Sequence, residues 1–160
     1  MKRLFIALGA VLLAASFARP ALAQAFVQVS VGGFHVCALR NDGAAQCWGD
    51  NSRSQLGGSD TGVAQVVPRT VLGLPNSTRV ASGYQHACAL TQQVGVFCWG
   101  SNSAGQIGYA PSTSYTSPTS LPAAGLLGIG GVDVGSGFSH SCMLKDTGEV
   151  LCWGNNSYGE

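Results

Sequence analysis

The sequence is poor in charge, with 8 Lys and Arg and 7 Asp and Glu among 160 residues. Three of the basic residues, Lys2, Arg3 and Arg19, fall in an N-terminal segment that has the features of an export signal. The remaining basic residues are scattered, and they provide no positive surface for nucleic acid or for an anionic membrane. We therefore predict that neither nucleic acid nor, after signal cleavage, a membrane is a partner.

The motifs of common catalytic sites are also missing. The chain has no Gly-x-Ser-x-Gly and no Gly-rich phosphate loop followed by Lys. Acidic residues occur singly in turns and loops, so the sequence offers no carboxylate pair for glycoside hydrolysis. We predict no catalytic residue, no cofactor and a protein that is not an enzyme. An extracellular hydrolase acting on a polysaccharide is the alternative.

Sustained helical periodicity is lacking beyond the N-terminus, whereas 23 Gly residues and many Ser, Thr and Asn separate short apolar runs. The alternation in AFVQVSV at residues 25–31 is typical of a half-buried strand. These features together predict an all-β protein.

Residues 1–23 have the three parts of a secretory signal. Lys2 and Arg3 precede an apolar run, and Ala21 and Ala23 supply the small residues of a cleavage site. A membrane anchor is the alternative, but the run of fifteen residues is shorter than the ~20 needed to span a bilayer. We expect cleavage after Ala23 and a secreted or periplasmic mature chain, residues 24–160.

One pattern occurs three times in the mature chain: HVCALRNDGAAQCWGDN, HACALTQQVGVFCWGSN and HSCMLKDTGEVLCWGNN. Counted at Trp48, Trp99 and Trp153, the copies are 51 and then 54 residues apart. Internal repetition at such a period is typical of solenoids and propellers. The repeats cover about residues 27–78, 79–131 and 132–160, the last of them incomplete. His, Trp and Gly recur at the same place in each copy, which indicates a structural role in the repeat core: His35, His86, His140, Trp48, Trp99, Trp153, Gly32, Gly83 and Gly137.

Each copy contains two cysteines ten residues apart, on the two strands of a predicted hairpin. Closing the first hairpin with Arg40 opposite Ala44 places Cys37 opposite Cys47, within reach of a disulfide. In the middle copy the turn glycine, Gly95, falls one position later, so we expect a different turn there. The predicted bridges are Cys37–Cys47, Cys88–Cys98 and Cys142–Cys152, as an even cysteine count in an exported chain favours.

Metal binding is the alternative for these positions. His35, Cys37 and Cys47 could form a three-ligand zinc site, but structural zinc sites use closely spaced cysteine pairs. Asp50 beside Asn51 falls short of the six to eight oxygens that Ca²⁺ takes. We predict no metal site.

The pattern Val-x-x-Gly-x-x-His-x-Cys-x-Leu, followed by Cys-Trp-Gly-x-Asn and by Gly105–Gly108 (GQIG), resembles the repeats of the regulator of chromosome condensation family. The resemblance covers about residues 27–160, and secreted bacterial members with Cys at these two positions look most similar. It implies a β-propeller with blades of four-stranded antiparallel sheets, of which about three are present here. Ser54 departs from the pattern, because the family has Gly at this loop position.

The resemblance also implies nucleotide exchange on a small GTPase, which an exported chain with disulfides would not meet. We instead predict an exported, non-catalytic scaffold that binds a protein partner through the variable segments 58–66, 109–117 and 122–131. Exposed Tyr favours protein interfaces, so Tyr109 and Tyr115 are the candidate contact residues. Since a propeller needs at least four blades to close, we also expect self-association or further repeats.

Overall fold

The computed structural model describes residues 24–58, 60–92, 94–120 and 128–160, with the backbone alone over 112–120. The predicted signal and most of the 122–131 segment therefore lie outside the described residues. Within them, no helix is long and apolar enough to cross a membrane.

The described residues form eleven strands in three antiparallel sheets. Each sheet is a meander in which consecutive strands pair, so each makes one blade. Blade 1 has the order β1-β2-β3-β4, blade 2 the order β5-β6-β7-β8, and blade 3 contains β9, β10 and β11. The strands are β1 (Phe26–Val31), β2 (His35–Arg40), β3 (Ala45–Gly49), β4 (Gln65–Thr70), β5 (Ser77–Ser82), β6 (His86–Thr91), β7 (Val96–Asn102), β8 (Ser112–Ser120), β9 (Gly131–Ser136), β10 (His140–Lys145) and β11 (Val150–Gly154). The all-β prediction and the propeller architecture are confirmed.

The central hairpin of each blade has the same register. The Arg40 amide donates to the Ala44 carbonyl at 2.9 Å, and this closure places Cys37 opposite Cys47. The structure brings together all three predicted cysteine pairs as disulfides, with Cα–Cα separations of 4.0–4.1 Å. In the middle copy the Thr91 amide donates to the Gly95 carbonyl at 3.0 Å, so the hairpin closes at the same place although its glycine is shifted.

The strand that closes blade 2 differs from the prediction. Segment 109–117 was expected to be a variable loop, but Ser112–Ser120 forms β8 and pairs with β7. Thr and Tyr favour extended backbone, and β8 is an edge strand, where Pro118 costs no ladder hydrogen bond. Tyr115 is therefore a strand residue, and its side chain lies outside the described part of the structure.

The apolar core lies between blades rather than within one. The disulfide Cys37–Cys47 and Leu39 of blade 1 pack against Val80 and Trp99 of blade 2. The next contact repeats this arrangement one blade further, with its members drawn from blades 2 and 3: Ala81, Cys88, Leu90, Val96, Cys98, Ile107, Val134 and Met143. Blades 1 and 2 therefore each bury their hairpin against the following blade.

Polar side chains join the first strands of blades 1 and 2. The Gln28 side-chain amide donates to the Val80 carbonyl and accepts from the Val80 N–H, both at 3.0 Å. Ser30 Oγ accepts from the Ser82 N–H at 2.8 Å. These hydrogen bonds satisfy backbone N–H and C=O groups on the free edge of β5, which is an edge strand of blade 2.

Gly83 permits the close approach of blades 2 and 3, which predicts a strong effect of its replacement. A Cβ at position 83 would lie 2.6 Å from the Gly137 carbonyl oxygen of blade 3 and would also collide with the His86 ring. We expect Gly83→Ala to lower the free energy of unfolding by about 1–3 kcal/mol, as overpacking does. Urea unfolding measures this loss. Gly135→Ala is the matched control, because nothing lies within 4 Å of its Cβ, and an equal loss in both variants would contradict the explanation.

Candidate functional site

Two kinds of connection meet at one end of the blades. The turn after the first strand lies next to the loop after the third strand, because Gly49 pairs with His35. Backbone hydrogen bonds of 2.9 Å join these segments in every blade: the Asp50 N–H donates to the Phe34 carbonyl, the Ser101 N–H to the Gln85 carbonyl, and the Asn155 N–H to the Ser139 carbonyl. We call this end of the molecule, formed by residues 32–34, 50–58, 60–64, 83–85, 103–111, 137–139 and 155–160, the loop face.

Three aromatic rings cross the loop face from blade to blade. The ring centroids of Phe34 and Tyr84 are 5.4 Å apart in an edge-to-face contact. Those of Tyr84 and Phe138 are 4.2 Å apart in a stacked contact. Phe34 is 59% exposed and Phe138 is 66% exposed. We call Phe34, Tyr84 and Phe138 the aromatic row.

The aromatic row borders a shallow depression of about 240 Å³ that spans all three blades. It is lined by Val31, Ser82, Ser136, the row residues Tyr84 and Phe138, and glycines of the turn that follows the first strand of each blade. None of these residues is charged. Exposed aromatic rings around an uncharged surface are typical of the centre of a protein interface.

The sequence analysis missed the aromatic row. A signal was present, because each copy has one aromatic residue between its repeat Gly and His. Tyr84 and Phe138 directly follow Gly83 and Gly137, whereas Phe34 stands one position later in its turn. Only the rotation of one blade onto the next brings the three rings into contact.

The long loops of the loop face are fastened from within by buried asparagines. Asn51 Nδ2 donates to the Asp60 carbonyl at 2.7 Å, and Asn51 Oδ1 accepts from the Leu56 N–H at 3.1 Å. Asn102 makes the equivalent bonds in blade 2, to the Ala110 carbonyl and from the Ile107 N–H. Asn51, which the sequence analysis weighed together with Asp50 as a calcium ligand, therefore holds a loop, and no group of three metal ligands occurs in the described residues.

Ser54 adopts the backbone conformation of the glycine that it replaces. Its φ is +57°, and the equivalent Gly105 has a φ of +81°. Its hydroxyl hydrogen-bonds the Thr61 hydroxyl across the loop. The departure from the repeat pattern at this position thus leaves the loop shape unchanged. Tyr109, the candidate contact residue, lies at the end of the corresponding loop of blade 2 and is partly exposed.

The repeat histidines lie beneath the loop face. His86 is fully buried, and its Nε2 lies 2.9 Å from the Ser141 hydroxyl of blade 3. That hydroxyl donates to the Gln106 carbonyl at 3.2 Å, so the imidazole Nε2–H donates to Ser141. His35 is also buried, but Ala87 stands where Ser141 stands in the next blade, and both ring nitrogens of His35 have no partner.

Burial sets the charge state of these histidines. It lowers the pKa of His35 to about 4, against a weaker raising effect of the Asp50 charge. It also lowers the pKa of His86 to about 4, with a smaller contribution from the neighbouring His35 and His140. Both rings are neutral at pH 7 and enclosed, so they act in blade packing.

The three consecutive meanders and their repeated contacts define the chain as a set of β-propeller blades. A family model described as "Regulator of chromosome condensation (RCC1) repeat" matches residues 26–55, 78–106 and 132–160, and a second model of the same description matches residues 42–90. The chain therefore belongs to the RCC1 repeat family, as its sequence pattern predicts.

Curated relatives are longer than this chain. It is 34% identical over 140 residues to the probable E3 ubiquitin-protein ligase HERC3 of Homo sapiens, covering 86% of the chain and 13% of the relative. It is 35% identical over 136 residues to the mitochondrial RCC1 domain-containing protein RUG3 of Arabidopsis thaliana, covering 84% of the chain and 30% of the relative. The chain thus spans less than a third of the length of these relatives.

Solved structures agree on the fold. A structure of Kap60 bound to yeast RCC1 (Prp20) matches with a TM-score of 0.68 and 26% identity, over 84% of this chain and 31% of that chain. Human WBSCR16 matches with a TM-score of 0.72 over 82% of this chain and 33% of that chain, and at 24% identity it shows the fold alone.

The relatives correct one prediction. The chain was expected not to be an enzyme, yet HERC3, HERC4 and HERC6 are named as probable E3 ubiquitin-protein ligases, which are enzymes. The expectation rested on missing motifs in this chain. A repeat segment that spans 13% or less of a larger enzyme can lack such motifs as well, so their absence does not support the prediction.

His86 has a hydrogen-bond partner in the next blade and His35 has none, and this difference predicts opposite effects of two substitutions. Ser141→Ala leaves His86 Nε2–H buried without an acceptor, which costs about 1–3 kcal/mol of the free energy of unfolding. Ala87→Ser places a hydroxyl beside His35, and we expect a gain of about 1 kcal/mol from the new hydrogen bond. Urea unfolding at pH 7.5 measures both. A loss of stability in both variants would contradict the assigned geometry.

The lowered histidine pKa values predict acid sensitivity. Unfolded histidines bind protons below about pH 6.5, whereas His35 and His86 bind them in the folded chain only near pH 4. Their contribution is complete above pH 6.5 and is lost as the pH falls toward 4, by about 1.4 kcal/mol per pH unit for each histidine. Urea unfolding between pH 7 and 4 measures the slope. We expect His35→Leu to reduce it, and a slope identical to that of the wild-type chain would contradict the assignment.

Proposed function

We propose that the chain is an exported repeat unit that binds a protein partner on its loop face, with the aromatic row at the centre of the contact. The observation that carries this proposal is the exposure of Phe34 and Phe138 on either side of Tyr84. Large rings in fixed positions contribute much contact area and little conformational entropy cost, which is why aromatic residues dominate interface energetics.

The rigidity of the loop face supports the same proposal. In each blade the turn after the first strand is fastened to the loop after the third strand by a backbone hydrogen bond, and the loops of blades 1 and 2 are each held by a buried Asn. A preorganised surface loses little entropy on binding. Tyr109, at the outer part of the same face, is placed to extend the contact beyond the aromatic row.

Export is supported by the disulfides and the N-terminal sequence. All six cysteines are paired, and none is free. Disulfides persist in oxidising compartments, and residues 1–23 have the composition of a secretory signal. We therefore propose that binding takes place outside the cytoplasm.

Two solved structures of relatives favour a protein as the ligand class. One is a structure of Kap60 bound to yeast RCC1 (Prp20), and the other concerns the binding of Prp20p to Gsp1p and histones. The second matches this chain at a TM-score of 0.69 and 25% identity. These partners are those of the yeast proteins, and only the kind of ligand is transferred here.

A double substitution tests the aromatic row. The chain is used to capture and crosslink proteins of the cell envelope and medium of its source, and the partner identified by mass spectrometry is then purified and titrated. We expect Phe34→Ser/Phe138→Ser to weaken its binding at least thirtyfold, since loss of hot-spot rings costs about 2 kcal/mol or more. Val27→Ser is the control, because Val27 is 63% exposed at the start of β1, the end of that strand opposite to the loop face. Unchanged affinity in the double variant would rule out the aromatic row as the binding site.

A further inference from the structure

A polar groove lies between blades 1 and 2, at the end of the molecule opposite to the loop face. Its walls are the hairpin turn of blade 1 at residues 41–43, the segment 76–79 at the start of β5, and Gln92 in the turn of blade 2. The Ser77 N–H donates to the Gly43 carbonyl at 2.9 Å and fastens the turn of blade 1 to its neighbour. Both blades that form the groove are complete four-stranded sheets. We call this depression, with a volume of about 400 Å³, the junction groove.

The junction groove continues into two further depressions. One, of about 320 Å³, shares Val27, Leu39 and Arg79 with it. The other, of about 330 Å³, shares Asn76 and Gln92 with it. The surface is therefore elongated, and Arg79 and Asn76 lie where its parts join. Such a shape fits an extended ligand of several units better than a compact ion.

Hydrogen-bonding side chains line most of the junction groove. The amides of Asn76 and Gln92 each offer donors and an acceptor, whereas an ionised Asp42 offers acceptors only. The hydrogen bond from the Ala44 N–H lowers the pKa of Asp42, and the Arg40 guanidinium lowers it further, so this carboxylate is ionised at pH 7. A ligand that fits these groups carries several hydrogen-bond donors as well as acceptors.

Two arginines and one carboxylate line the junction groove. Arg40 pairs with the Asp42 carboxylate, and its Nε is buried without a hydrogen-bond partner among the described residues. Arg79 donates from Nη1 to the Thr78 carbonyl at 2.8 Å, and its Nε lies 3.8 Å from the Asp133 carboxylate. The Arg79 side chain is half exposed, so its guanidinium can reach a ligand without breaking a close ion pair. Arginine suits a planar carboxylate best, because its N–H groups form a rigid fork.

The corresponding positions between blades 2 and 3 carry no arginine. Asp133 is the equivalent of Arg79, because each lies opposite the repeat Leu of the following strand. Thr91 is the equivalent of Arg40, because the N–H of each closes its hairpin. Blades 2 and 3 nevertheless pack through the same kind of apolar core as blades 1 and 2. The repeat fold therefore requires neither arginine, which indicates a role for them outside blade packing.

An acidic sugar combines the features that these groups select. Its carboxylate suits a guanidinium, and its ring hydroxyls can donate to Asp42 and both donate to and accept from amides. Its C–H groups can pack on Val27 and Leu39, the apolar residues of the groove. A sulfate ion offers no donor for Asp42, and a peptide with Glu side chains offers only its backbone N–H groups.

We propose that the junction groove binds an acidic oligosaccharide. A uronate carboxylate lies on Arg79, and the neighbouring sugar hydroxyls lie on Asp42, Asn76 and Gln92. The two adjoining depressions take the sugar units on either side. Because the junction groove and the loop face are at opposite ends of the blades, the proposal does not depend on the protein partner proposed for the loop face.

Titration calorimetry of the chain with its disulfides intact tests this site. The probes are the trimers of galacturonate and of glucuronate, with the neutral galactose trimer and a triglutamate peptide for comparison. Arg79→Gln removes a charge from the groove and keeps a polar side chain. Arg69→Gln is the matched control, because Arg69 is exposed on β4 and does not line the groove. Asn76→Gly is a second variant, since Gly130 occupies the equivalent position before β9. Far-ultraviolet circular dichroism and the intact disulfide mass verify the fold of each variant.

We expect at least one uronate trimer to bind saturably below about 5 mM, and at least tenfold more tightly than the neutral trimer or triglutamate. Arg79→Gln should weaken this binding at least tenfold, because it removes charge-assisted hydrogen bonds. Asn76→Gly should also weaken it, whereas Arg69→Gln should leave it unchanged. The absence of binding by both uronate trimers would overturn the proposal, as would equal binding of triglutamate. An unchanged affinity in Arg79→Gln would also overturn it, by indicating that the sugar binds elsewhere.

Discussion

The contact between consecutive blades is the interaction on which the rest of this structure depends. Each blade is a thin sheet whose hairpin places a disulfide and small apolar side chains on one face. The following blade covers them with Val, Ala and Trp, as Val80, Ala87 and Trp99 do. A single sheet of this kind has no second layer of its own against which to bury an apolar face. The position of every turn and loop on the loop face follows from how the blades pack.

Residues at the same position in their repeats have different surroundings where the neighbouring blades differ. His35 and His86 occupy the same place in their repeats, yet one faces Ala87 and the other faces Ser141. The cost of a buried imidazole without a hydrogen bond is borne in blade 1, while blade 2 has the same ring satisfied. Ser54 is a second example, because the loop retains a left-handed conformation at a residue other than glycine. The fold thus tolerates exceptions at single positions as long as the blade contact is kept.

Predictions that rest on short stretches of the chain agree with the structure. Closing a hairpin at Arg40 and Ala44 leaves only one partner for Cys37, because paired residue numbers must keep a constant sum. The turn residues and the two-residue alternation of side chains along a β-strand therefore define the register and the bonded cysteine pairs. The loop expected at 109–117 is in large part a strand, because the neighbouring edge of β7 was available to pair with it. Sequence reasoning could not foresee that available edge, since strand pairing is a long-range interaction.

The sequence by itself determined the all-β class, the repeat period, the hairpin registers and the membership in the RCC1 repeat family, because each of these depends on neighbouring residues or on the recurrence of a pattern. The tertiary structure alone decided which residues meet across blades. Phe34, Tyr84 and Phe138 are about 50 residues apart in sequence, and their contact depends on the rotation between rigid sheets. Val29 is exposed and Val80 is buried, although the two valines occupy the same position in their repeats. The sequence alone does not show this difference, because burial depends on the blade that packs against the residue.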